Sequence, residues 1–113
     1  MLSCFTVQTV VAKSYIAQNN RTLGRVGVES YFTIDARDSC GFPRREGGDS
    51  WTLTLLKAQS VYTYAIPSNK ITNIGDGTYR AYFTVAQSGY FTVRASQPGQ
   101  TATNIGGFSV QPA

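Results

Sequence analysis

The sequence contains no histidine. That single absence removes serine and cysteine nucleophile systems that depend on an imidazole base, and it removes zinc sites built on histidine. Acidic residues are scarce as well: Glu29, Asp35, Asp38, Glu46, Asp49 and Asp76 are the only six. Few carboxylates leave few pairings for general acid–base chemistry and few possible cages for a hard cation. The two cysteines, Cys4 and Cys40, are too few for a disulfide framework; free thiols in a reducing compartment are the favoured reading, and a single bridge stays open. No apolar stretch approaches the about 20 residues that span a bilayer. The start, Met1-Leu2-Ser3-Cys4, shows neither the basic region nor the apolar run of a signal peptide. Helical periodicity is missing: no window places apolar residues at i, i+3, i+4 and i+7.

What the sequence does have is alternation. In Tyr31-Phe32-Thr33-Ile34-Asp35-Ala36-Arg37, the residues Phe32, Ile34 and Ala36 share one face. The same period of two sets Trp51, Leu53 and Leu55 against Thr52 and Thr54, and it recurs as Tyr79, Ala81, Phe83, as Phe91, Val93, Ala95 and as Phe108, Val110. Each run reads as a half-buried strand, apolar inside and polar outside. Glycine- and proline-rich turns separate them: Gly41-Phe42-Pro43, Gly47-Gly48-Asp49, Gly75-Asp76-Gly77, Gln87-Ser88-Gly89 and Gln97-Pro98-Gly99. With 113 residues this is one domain. About seven short strands without a helix argue for an antiparallel, immunoglobulin-like β-sandwich, with a small barrel as the structural competitor. The expected core is Phe32, Ile34, Trp51, Leu53, Tyr79, Phe83, Phe91 and Val93. Trp51 early in a central strand suits an immunoglobulin-like core, but neither cysteine occupies a core-strand position, which argues against the antibody type.

Other patterns carry little chemistry. The glycine pairs sit between strands, with no following helix or Walker lysine to bind phosphate. Asp35 and Asp38 flank Arg37, a pattern for turn capping and surface ion pairs. Ten basic residues against six acids give a net charge of +4, read here as surface. Tyr31, Tyr82 and Tyr90, with Arg80 and Arg94, fall on outward parity, so a barrel that binds single-stranded nucleic acid is an alternative on composition. The triplet Asn20-Arg21-Thr22 is a glycosylation sequon if the chain is exported.

Five segments, in order, resemble the filamin-type (actin-crosslinker rod) immunoglobulin-like repeat. Residues 27–38 resemble its second strand and residues 41–49 its loop into strand C. Gly75-Asp76-Gly77-Thr78-Tyr79 resembles its Asp-Gly-Thr-Tyr turn. Gly89-Tyr90-Phe91-Thr92-Val93 is similar to its strand F, with Phe91 in place of tyrosine, and Gly106-Gly107-Phe108-Ser109-Val110 to its closing strand, without the proline. Val85 stands where the family often has proline. The resemblance implies a non-catalytic structural and interaction module without a cofactor, one repeat of a tandem array in a cytoskeletal protein. Its partners would be neighbouring repeats and peptide segments, with actin reached only through other domains, no nucleic acid and no membrane insertion. It also implies that partners add a strand beside strand C, here Ser50–Leu56, in a groove against a strand within Ser60–Ile66. Thr52, Thr54, Leu56, Tyr62 and Tyr64 would line that edge. Filamin-like repeats also resemble ectodomain repeats of some gamete-surface proteins, so an extracellular adhesion module is the alternative to a cytoplasmic one.

Phe5-Thr6-Val7-Gln8 parallels Phe108-Ser109-Val110-Gln111 at an offset of 108 − 5 = 103 residues. This spacing is about one repeat, and it casts residues 1–8 as the tail of a preceding repeat, with a linker as the alternative, and residues 9–113 as the domain.

Overall fold

The computed structural model describes residues 11, 14–17, 19, 21–37, 50–75 and 77–112. Cys4, Cys40, Asn20, Asp38, Asp49, Asp76, the repeated motif at residues 5–8 and the loop at residues 41–49 lie outside the described residues.

The described residues form a two-sheet sandwich. The strands are β1 (Tyr15–Ile16), β2 (Arg21–Arg25), β3 (Ser30–Asp35), β4 (Thr52–Lys57), β5 (Thr63–Ile66), β6 (Ile71–Asn73), β7 (Thr78–Phe83), β8 (Gly89–Ser96) and β9 (Thr103–Gln111). The first sheet has the order β1-β3-β7-β6 and the second β2-β9-β8-β4-β5. All pairings are antiparallel except β2 with β9, which run parallel.

The described strands number nine rather than seven, for two reasons. The N-terminal strand is split: β1 pairs with β3 in the first sheet, and the chain then crosses to lay β2 beside β9 in the second. The segment after β4 also does double duty. It returns as β5 along β4, and the short 3-10 helix Ser68–Lys70 then carries the chain to β6 in the other sheet.

Alternation becomes burial. Phe32, Ile34, Leu53, Tyr79, Phe83, Phe91 and Val93 are almost wholly inaccessible, and Trp51 is 6% exposed. Phe32 and Phe83 come from the first sheet, Phe91 and Phe108 from the second. Their rings meet at a tilt across the gap: Phe83 and Phe108 centroids lie 4.9 Å apart, and Phe32 and Phe108 5.6 Å. Each such ring is worth about 1.5–3 kcal/mol of burial, so these four side chains fix the distance between the sheets.

Candidate functional site: sheet edges and faces

The groove expected beside Ser50–Leu56 takes a different form. β4 is bonded to β8 on one side and to β5 on the other, so it is an inner strand and its edge is filled by the chain itself. The five expected groove residues also divide between two faces. Thr52, Thr54 and Leu56 alternate with buried Leu53 and Leu55 and therefore point to the outer face. Tyr64 lies opposite Leu55 and Ile66 opposite Leu53, which places Tyr64 and, two residues earlier, Tyr62 on the core-facing side. Both tyrosines are half-buried and pack against the core. Tyr62 meets Phe91 edge-on at 6.1 Å, and its hydroxyl accepts the Ala86 N–H at 3.0 Å. The reason is the tight reversal after Lys57, where Lys57 N–H donates to Tyr62 C=O at 3.2 Å and Gln59 takes a positive φ of 57°.

The open edge of the second sheet on this side is β5. The Lys57–Tyr62 hydrogen bond sets the alternation of the ladder. Tyr64 and Ile66 therefore turn their backbone groups toward β4, while Thr63 and Ala65 turn theirs outward. The strand carries no charge, no proline and no bulge, the devices that usually blunt an edge. The other edges are protected or short: β2 carries Arg21 and Arg25 and is irregular, β1 has two residues, and β6 has three and follows Lys70.

The outward tyrosines and arginines also separate. Tyr31, Arg80 and Tyr82 lie on the outer face of the first sheet, whereas Tyr90 and Arg94 belong to β8 in the second. They cannot form one stacking platform, and a two-sheet sandwich replaces the barrel alternative. Sequence reading missed one member of the first-sheet face, Tyr15, and did not join it to Arg37, which it read as an outward residue in a surface ion-pair pattern. Arg37 sits over the Tyr15 ring at 5.0 Å, donates to its hydroxyl, and pairs with Asp35 at 3.1 Å. Arg80 lies over the Tyr31 ring at 4.6 Å, and Tyr31 and Tyr82 rings are 5.5 Å apart. A hydrogen bond to Tyr82 raises Arg80 above its ordinary value, which by itself already keeps a guanidinium charged at any working pH. A cleft of about 350 Å³ opens between β2 and the start of β3, lined by Thr22, Leu23, Gly24, Glu29, Ser30 and Tyr31.

The two ends of the sandwich take different parts of the chain. Val11 N–H donates to the Gln100 side chain at 2.8 Å, beside the turn after β8. Gln111 C=O accepts the Val26 N–H at 3.0 Å, at the opposite end of the β8–β9 hairpin. A strand of this length spans on the order of 25–30 Å, so the described chain enters at one end and leaves at the other.

Comparison with known proteins agrees with this architecture. The sequence model of the Filamin/ABP280 repeat matches residues 4–105. Among solved structures, the Lin-41 filamin domain superposes with a TM-score of 0.63 at 13% identity, over 93% of this chain and 96% of that one. The Escherichia coli adhesin FdeC gives 0.59 at 22% identity over 91% of this chain and 32% of its own length. Domains 4 and 5 of the S-layer protein SbsC give 0.56 at 14% identity, over 92% and 54%. This chain thus spans about a third of the FdeC chain and about half of the SbsC chain. No curated protein matches it. At these identities the structural likenesses speak to fold; the family match supplies the rest. The chain belongs to the Filamin/ABP280 repeat family of non-catalytic, immunoglobulin-like modules for structure and protein interaction.

Proposed function

We propose that this repeat is a rigid spacer in a tandem array, of the kind found in actin-crosslinking cytoskeletal proteins, and that it accepts partner peptides along β5. The observation that carries the spacer reading is the placement of Val11 and Gln111 at opposite ends of the sandwich, which suits head-to-tail linkage. Family membership supports it. The phenylalanine core that spans the two sheets supplies the stiffness.

The peptide edge rests on a different feature. Thr63 and Ala65 direct backbone groups outward that have no partner among the described residues, from an edge with none of the usual protections. An added strand would complete those hydrogen bonds and lay alternate side chains beside Tyr62 and Tyr64. The test is to select random extended peptides against the chain and map the binders by amide NMR. Binders should move the Thr63 and Ala65 resonances. Binders that move only other resonances reject the edge. The cytoskeletal assignment is tested separately: the parent protein should sediment with filamentous actin.

An extracellular adhesion role is the second reading. Asn19, Arg21 and Thr22, which surround the Asn20 sequon position, are exposed. Glycan release from the natural protein, read as a mass shift on peptides containing Asn20, would select it over the cytoplasmic reading.

A further inference from the structure

The outer face of the first sheet has a composition unlike an ordinary solvated surface. Register places Tyr15, Asp35 and Thr78 in one row, Thr33, Arg80 and Thr72 in the next, and Tyr31 with Tyr82 in a third. These positions hold three tyrosines and one arginine, Arg37 adds a second, and none is a lysine. Tyr15 is 42% exposed and Tyr31 43%. Tyrosine and arginine are the residues enriched where proteins dock, and lysine is depleted there.

The two guanidinium groups differ in one respect. Arg37 is answered by Asp35. Arg80 has no carboxylate partner among the described residues. Yet Arg80 is held in place, against the face of Tyr31 and by Tyr82. A cation fixed in advance loses little freedom on binding, and a guanidinium presents a planar fork that matches a carboxylate.

We propose that this face, centred on Arg80, Tyr31 and Tyr82, docks a carboxylate-bearing segment of a protein partner. The site is independent of the β5 edge, which belongs to the other sheet. A single-stranded nucleic acid fits less well. The guanidiniums already cover a face of both Tyr15 and Tyr31, where a base would stack, and Tyr90 and Arg94 lie on the far side of the sandwich. The chain's net charge of +4 favours approach of an acidic partner.

The test uses the whole chain with hexaglutamate as probe and amide NMR as readout. Hexaglutamate should shift the resonances of Tyr31, Arg80 and Tyr82. Arg80→Gln should weaken it about tenfold, the low end for a hydrogen bond to a charged group. Arg80→Lys, which keeps the charge and loses the fork, should fall between, and it serves as the folded control if Arg80→Gln does not fold. Three results would overturn the proposal: resonances at this face that stay fixed at millimolar hexaglutamate, shifts that centre on Arg94 instead, or an oligothymidylate that binds at least as tightly with the same dependence on Arg80.

Discussion

Trp51 meets Tyr79 edge-on across the gap between the two sheets, with ring centroids 5.8 Å apart and planes at 71°. Trp51 stands at the entry to β4 in the second sheet and Tyr79 in β7 of the first, so the pair joins the layers at the end away from the phenylalanine cluster. Both rings are nearly inaccessible. Trp51→Ala should cost about 3–5 kcal/mol in denaturant unfolding, because the sheets cannot close on so large a void. A loss below about 1 kcal/mol would show that the indole contributes little to holding the layers together.

Gly24 and Ser30 make a second close relationship. A Cβ on Gly24 would lie 1.8 Å from Ser30 Oγ and 2.9 Å from Ser30 Cβ, and Gly24 has a φ of +67°. Gly24→Ala therefore meets both a clash and an unfavourable backbone. It should destabilise the fold by about 1–3 kcal/mol. Adding Ser30→Ala removes the hydroxyl but leaves the backbone strain, so the double variant should recover part of the loss and not all of it. Full additivity in thermal melts would show that β2 relaxes away from β3 instead.

How far the sequence disclosed this structure depends on what decides each element. Strands with one face buried were legible, because a period of two is written into residues such as Phe32 and Ile34 or Phe91 and Val93. β2 was not: it lies on an edge, its residues are exposed or half-buried, and no alternation is imposed on it. The strand within Ser60–Ile66 was legible as a strand but not by sheet. Its return along β4 depends on a reversal in which Gln59 takes a positive φ, and a glutamine does not announce that conformation as glycine or asparagine would. That one turn fills the edge of β4 and moves the open edge outward to β5. It also rotates Tyr62 and Tyr64 to the core side, away from Thr52, Thr54 and Leu56. The arginine–tyrosine face was half legible. Parity identified Tyr31, Tyr82 and Arg80, but only the pairing of β1 with β3 brings Tyr15 to Arg37.

The Lys70–Glu29 pair predicts a small pH effect of defined sign. The hydrogen bond from Lys70 to Glu29, at 2.9 Å, and then the Glu29 charge raise Lys70 above its ordinary value of 10.5. A raised value in the folded state means that the pair's contribution is present at neutral pH and is lost as pH rises through that raised value. Both side chains are half exposed, so the contribution is small and salt-screened. Thermal melts of the wild type and Lys70→Met should differ slightly at neutral pH in low salt. The two curves should converge in strong alkali and in high salt; a gap that persists in either would point to packing of the lysine stem.

Proline substitution separates the role of the β5 edge from the role of the β5 hairpin. Ala65 turns its N–H outward, so Ala65→Pro removes a donor from the free edge while leaving the bonds to β4 in place. Tyr64 turns its N–H toward Leu55, so Tyr64→Pro removes a rung of the β4–β5 ladder itself. Ala65→Pro should keep the fold, with a change of about 1 kcal/mol or less, and should abolish binding of edge-adding peptides. Tyr64→Pro should cost about 3 kcal/mol or more and loosen the hairpin. The two variants thus separate loss of the edge from loss of the strand. Undiminished peptide binding by Ala65→Pro, with its fold intact by circular dichroism, would place the peptide elsewhere on the sandwich.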